Sequence, residues 1–194
     1  MIFRETKIAG AFTMDLERHV DGRGSFARVW CTKELDAAGI TSRLAQVSLS
    51  TNLRRGTLRG MHYSVPPHAE AKIVRCVQGA VYDVLLDLRP FSATYGTWIA
   101  ETLSAEDGRA LCVPEGVAHG FQTLEDTAAV LYQISEFYDP ACARGVRWSD
   151  PRFDIQWPID APILSERDAT YPDYESPQSA GGTAGPPTMS SRAP

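Results

Sequence analysis

Short β-rich runs, each closed by a glycine, proline or aspartate turn, recur along the chain and constrain its fold more than any other feature. Ala71–Val77 and Ala80–Leu88 flank Gln78-Gly79, a pattern that predicts a hairpin with a glycine turn. Tyr95–Thr102, Ala110–Val113, Thr127–Glu136 and Val146–Trp148 are further runs of this kind. Arg89-Pro90, Glu106-Asp107-Gly108, Pro114-Glu115-Gly116 and Asp139-Pro140 supply the breaks. One helix is expected over Thr32–Ala38, with Thr32 as N-cap, Glu34 and Asp36 favouring the dipole of the first turn, and Gly39 as the stop. Many short strands with no fixed-period repeat predict an all-β jelly roll, built as a barrel or a sandwich with a few short helices.

With 194 residues, 43% hydrophobic and 22% charged, the chain has the makings of one globular domain with a proper core. Its last stretch is different. Fourteen of the nineteen residues from Ser176 to Pro194 are Ser, Pro, Gly or Ala, and Met189 alone offers an apolar anchor. Such a segment buries too little surface to offset its ordering entropy, so a folded domain over 1–174 and a disordered tail over 175–194 are expected.

Charge and cysteine usage narrow the function classes. Nineteen Lys+Arg against 24 Asp+Glu leave a net charge of −5, which argues against a nucleic-acid partner but not against an anionic small ligand held by a few placed cations. No apolar run approaches the roughly 18–20 residues that span a bilayer, so no membrane partner is expected. Met1–Lys7 mixes charges early and lacks the apolar block of a signal peptide, so a cytoplasmic location is expected. Cys31, Cys76, Cys112 and Cys142 are 45, 36 and 30 positions apart with no C-x-x-C pair, which reads as reduced thiols, two of them inside apolar strands.

Two histidine segments stand out as places for chemistry. Arg59-Gly60-Met61-His62-Tyr63 is followed ten residues after His62 by Lys72, and Pro114–Phe121 sets His119 between small residues. Taken singly, each histidine reads as a satisfied structural residue; with Arg59 and Lys72 close by, a polar ligand pocket at a strand end is the stronger reading. A metal site would need imidazoles converging on one ion at about 2.0–2.1 Å. His62 and His68, separated by Pro66-Pro67, have the wrong spacing for that, so no metal and no cofactor are expected. Tyr132 sits on the apolar strand Ala129–Tyr132, where alternation points it either into a pocket or into the core. Asp168 alone reads as a solvated turn charge, and no phosphate-binding glycine loop or nucleophile elbow is present. Arg23, Arg59 and Lys72 are the candidates for holding an anion. The residues by themselves lead to a small β-barrel with a polar, histidine-containing pocket.

Six segments in order carry more than that. Arg23-Gly24-Ser25-Phe26, Gly56–Tyr63, Lys72–Arg75, Asp83–Arg89, Val113–Phe121 and Leu164–Asp168 together resemble the dTDP-4-dehydrorhamnose 3,5-epimerase family, from about Ile2 to Tyr174. The R-G-M-H-Y and P-E-G-V-A-H-G-F segments in that order are specific; either alone is not. The resemblance implies a cupin-like jelly roll, a homodimer needing no metal, and inversion of carbons in a nucleotide-linked 4-keto-6-deoxyhexose of deoxysugar (rhamnose-type) biosynthesis. A proton α to the C4 ketone is acidic only if the enolate is stabilised, and inversion needs a base on one face and an acid on the other. By resemblance His62 is the base, Asp168 its partner, Lys72 the positive charge near the enolate oxygen, and Tyr132 the acid of the opposite face. Arg59 and His119 would contact the diphosphate or the sugar, Arg23, Phe26 and Gln46 the nucleotide, and Tyr138 the substrate side.

Departures from the family pattern lie around that set. Arg28 stands where a nucleotide-side Glu is expected, Gln46-Val47-Ser48 replaces Q-x-N with Ser48 in the amide position, Ala143 replaces a substrate-binding Glu, and Arg167 replaces the Lys before Asp168. These bear on the nucleotide and the sugar more than on the reaction type. Alternatives that the sequence leaves open are a single-carbon epimerase, a 3,4-ketoisomerase of related sugars, a metal-dependent cupin and a non-catalytic sugar-binding module.

Overall fold

Successive side chains of a strand point to opposite faces, and two sheets of this protein use that alternation to enclose a common core. The computed structural model describes residues 1–175; the expected tail, apart from Glu175, lies outside the described residues. The chain runs through β1 (Ile2–Glu5), β2 (Phe12–Asp15), β3 (Arg18–Asp21), β4 (Gly24–Ala27) and α1 (Thr32–Ala37). It continues with β5 (Gln46–Asn52), β6 (Leu58–Ser64), β7 (Lys72–Gln78), β8 (Ala80–Asp87) and β9 (Trp98–Ser104). Then come β10 (Ala110–Val113), β11 (Val117–Thr123), β12 (Ala128–Ile134), β13 (Ala143–Gly145) and the one-turn helix α2 (Glu166–Ala169). One sheet has the order β1-β2-β10-β7-β12-β5, the other β13-β6-β11-β8-β9, and β3-β4 form a hairpin of their own.

Neither sheet closes on itself, so of the two expected forms the cupin-like jelly roll here is the sandwich and not the barrel. Val74, Cys76, Val81, Leu85, Leu111, Phe121 and Val130 fill the space between the sheets. The alternate residues of β8, Val84 and Leu86, pack on Met61, Val146, Phe153 and Ile155 on its other face. Burial on both faces explains why β8 reads as a continuous apolar run. Leu35 of α1 covers Met14, Ile73, Ala110 and Cys112 on the outside of the six-stranded sheet. Among the described residues all four cysteines are free thiols, and burial pushes Cys76 up to about 11 and Cys112 up to about 12. No described helix is long and apolar enough to cross a membrane.

Four expectations need correction. The segments either side of Gln78-Gly79 do form strands, but β7 pairs with β10 and β12 whereas β8 pairs with β9 and β11, so the turn is a corner between sheets and not a hairpin. Gly79 supplies the positive φ of 68° that this corner requires. Val146–Trp148 is not a strand; β13 precedes it, and Val146 instead packs beneath β6 and β8. The helix is capped one residue earlier than expected, by the extended Cys31 without a side-chain bond, and Thr32 is its first helical residue. The 95–102 run becomes a strand only at Trp98, after a turn built on Asp87, Ser92 and Thr94.

Candidate active site

β5 ends one sheet and β13 and β6 end the other, and between them opens a cleft of about 450 Å³. Gln46, Ser48 and Ser50, alternate residues of β5, line one wall beside Tyr132 of β12 and Lys72 of β7. Ser48 stands opposite Tyr132 in the β5–β12 ladder, and Tyr132 in turn opposite Val74 of β7. The other wall carries Arg59 and His62 of β6, His119 of β11, Ala143 of β13 and, from the C-terminal segment, Arg167 and Asp168. Tyr138, more than half exposed, lines the cleft from the segment after β12.

Regular alternation would not put both Arg59 and His62, three residues apart, on one cleft. The register between β6 and β11 shifts between His119 and Phe121, and this irregularity brings both into the lining. The two strands touch there through glycines. A Cβ on Gly60, whose φ is +143°, would lie 2.4 Å from the Cα of Gly120, so only glycine allows this approach.

Each histidine has its own carboxylate. His62 Nε2 lies 2.7 Å from Asp168 Oδ1, and Asp168 is delivered by α2, whose N-cap Ser165 accepts the Asp168 N–H through Oγ. Burial works against ionising Asp168, but the bond from His62, the backbone N–H of Gly60 and Ser165 outweigh it and hold the carboxyl below its ordinary value. His119 Nε2 lies 3.0 Å from both oxygens of Asp83, a fully buried carboxylate on β8. Burial raises the Asp83 carboxyl, with His119 and Lys72 pulling the other way. The ring of Tyr132 meets that of His119 edge-on with centroids 5.7 Å apart. Desolvation, reinforced by Asp83, pushes the Tyr132 phenol well above its ordinary value.

The cleft thus gathers His62, Lys72, Tyr132, Asp168, Gln46, Ser48, Arg59, His119, Tyr138 and Arg167. Arg23 and Phe26 are elsewhere. They sit on the β3–β4 hairpin, with Arg23 91% exposed at the side chain and paired to Asp21, and Phe26 76% exposed. Three partners escaped the sequence reading. Asp83 left a signal, a lone carboxylate within the apolar run Val81–Leu86. Glu70, which pairs with Lys72 at 2.7 Å, and Asn52, whose Oδ1 accepts from Arg59 Nε at 2.8 Å, left none. A second cavity of about 340 Å³, lined by Trp30, Ile40, Arg43 and Glu115, meets the cleft only at Lys72 and contains no histidine.

The arrangement can withdraw a proton from a bound carbon acid: a histidine backed by a carboxylate, an ammonium for developing negative charge, and a neutral phenol across the cleft. Comparison with known proteins points the same way. The model of the family described as dTDP-4-dehydrorhamnose 3,5-epimerase matches residues 5–176. A protein of that name from Shigella flexneri is 39% identical over 165 residues, covering 84% of this chain and 91% of its own. A dTDP-4-dehydrorhamnose 3-epimerase from Streptomyces niveus is 41% identical, covering 87% and 81%. The crystal structure of the Bacillus anthracis dTDP-4-dehydrorhamnose 3,5-epimerase with TDP and PPi bound superposes with a TM-score of 0.86 at 37% identity, over 89% of this chain and 99% of that one. Likeness of this extent, in sequence and in architecture alike, marks common descent, and the chain belongs to the dTDP-4-dehydrorhamnose 3,5-epimerase family of isomerases.

Proposed function

We propose that the protein inverts C3 and C5 of a dTDP-linked 4-keto-6-deoxyhexose in deoxysugar biosynthesis, in the cytoplasm, by proton abstraction and reprotonation. The observation that carries this reading is the His62–Asp168 pair, 2.7 Å apart, in one cleft with Lys72 and Tyr132. Nε2–H of His62 is donated to Asp168, which leaves Nδ1 as the basic nitrogen. Nδ1 takes the proton from C3 or C5, the C–H pair flows into the C4 carbonyl, and Asp168 stabilises the imidazolium. Lys72 holds positive charge toward the enolate oxygen. Tyr132, whose raised value keeps its proton in place, returns one to the opposite face. Arg59, held by Asn52, and His119, held by Asp83, bind the diphosphate and the sugar; Gln46, Ser48, Tyr138 and Arg167 complete the substrate contacts.

The nucleotide contact of Arg23 and Phe26 is intermolecular in this reading. The protein is a homodimer in which each β3–β4 hairpin reaches the partner's cleft. Support comes from the exposure of both side chains and from the bare apolar residues Val47 and Leu49, 55% and 59% exposed, on the outer face of β5.

Incubation with dTDP-4-keto-6-deoxyglucose in D₂O, followed by NMR, tests the reaction. Deuterium entry at both C3 and C5 with inversion is expected; no entry at either carbon overturns the reading. Because one relative is named a 3-epimerase, the two carbons are scored separately, and entry at C3 alone restricts the activity to one centre.

A further inference from the structure

Lys72 is 8% exposed at its side chain, and its Nζ lies 2.7 Å from Oε1 of Glu70, itself 11% exposed. Both groups line the cleft beside His62 and Tyr132. The pairing follows from local geometry. Residues two apart on an extended backbone share a face, and the intervening Ala71 is pinned. Its N–H donates to Ser135 Oγ at 2.8 Å, and its carbonyl accepts the Ser135 N–H at 2.9 Å. Asp83, the other buried carboxylate near this ammonium, has both oxygens engaged by His119. Among the described residues, Glu70 is the carboxylate within ion-pair distance of Nζ.

We infer that Glu70 is the positioning residue of Lys72, holding the ammonium aimed into the cleft before substrate arrives. A lysine side chain has four rotatable bonds, and fixing it costs rotamer entropy. An unpaired ammonium so little exposed would also draw away toward water. Glu70 removes both difficulties. It faces only one side of a group with three N–H donors, so the remaining donors are free for the oxygen on which charge develops. Glu70 touches no reacting atom and acts through Lys72 alone. The inference rests on the function proposed above, in which Lys72 stabilises the enolate.

A double-mutant cycle of Glu70→Gln and Lys72→Met tests it, with deuterium entry at C3 of dTDP-4-keto-6-deoxyglucose integrated over hours and KM measured alongside. Glu70→Gln is expected to lower the exchange rate at saturation by about tenfold or more with KM within about threefold, because an interaction is lost mainly in the transition state. In the Lys72→Met background the same substitution is expected to change the rate less than about twofold. Wild-type exchange in Glu70→Gln, or an equal loss in both backgrounds, overturns the inference, since a structural role does not depend on Lys72. Should Glu70→Gln fail to fold, Glu70→Asp, which withdraws the carboxylate by one methylene, enters the same cycle under the same criteria. The two readings fail separately: no exchange by the wild-type protein fells the proposed function, whereas wild-type exchange with no coupling fells only the role of Glu70.

Discussion

His62 and His119 stand directly opposite each other in the β6–β11 ladder, so one strand pair delivers both imidazoles to the same cleft. Each is fixed by a carboxylate from outside that pair, Asp168 from α2 and Asp83 from β8. If His62 is the base, His62→Ala lowers deuterium entry at both C3 and C5 by about 10²–10⁴-fold, the usual contribution of a positioned general base. Circular dichroism and the unfolding midpoint stay close to wild type, because the His62 side chain is 40% exposed and supports little packing.

Tyr132→Phe separates the two halves of the reaction. Losing only the hydroxyl removes the group proposed as the acid of the opposite face while leaving the ring against His119. Net inversion is expected to fall by at least about tenfold more than the first proton abstraction, read as exchange of substrate hydrogen without change of configuration. Equal, small effects on both would remove Tyr132 from the acid role.

Gly60→Ala addresses the contact between the strands. The added methyl would meet the Gly120 Cα at 2.4 Å and hold a side chain at a φ of +143°. Overpacking and backbone strain together are expected to cost about 3 kcal/mol or more, read as a lower urea midpoint or loss of folded protein.

Asp87 sets an acid limit on stability. Burial opposes its ionisation, but Arg89, Ser92 and Thr94 overcome this and hold the carboxyl down at about 2. Its contacts include Arg89 Nη2, Ser92 Oγ and Thr94 Oγ1, each at 2.6 Å from Oδ2. A depressed value stabilises the fold above the unfolded-state value near 4, and that stabilisation fades as pH falls from about 4 toward 2. Asp87→Asn is therefore expected to cost about 2–3 kcal/mol at pH 7 and progressively less below pH 4, measured by urea unfolding across that range.

Mixing experiments test whether the cleft is completed by the hairpin of a second chain. Light scattering should give twice the chain mass for the wild-type protein. The variants Arg23→Ala/Phe26→Ala and His62→Ala, each impaired alone, are expected to recover up to about half of wild-type activity per mixed dimer, because one cleft then has an intact base and an intact hairpin. No recovery after exchange of subunits would place hairpin and base on the same chain.

Much of the architecture was legible locally. The strands around residues 71–88, 110–113 and 128–134 follow from β-rich composition bounded by turn residues, and Gly39 follows the longer of the two described helices. Which strands pair was not. Gln78-Gly79 has the chemistry of a hairpin turn, yet the strands it joins belong to different sheets. Turn residues specify backbone angles, whereas sheet membership depends on where β9, β10, β11 and β12 find room to pair.

The sequence by itself determined the all-β jelly-roll class, with barrel or sandwich left to the sheet pairing, and the residue types of the cleft, since both depend on side-chain alternation and on motifs read within a few residues. The pairing of Asp168 with His62 across 106 positions was implied by the resemblance and is realised by packing, whereas tertiary structure alone decided the pairing of Asp83 with His119 across 36 and the separation of Arg23 and Phe26 from the cleft of their own chain. A lone carboxylate carries no mark of its partner in one dimension. Its meaning arises when packing removes water from both groups and leaves each as the other's counterpart.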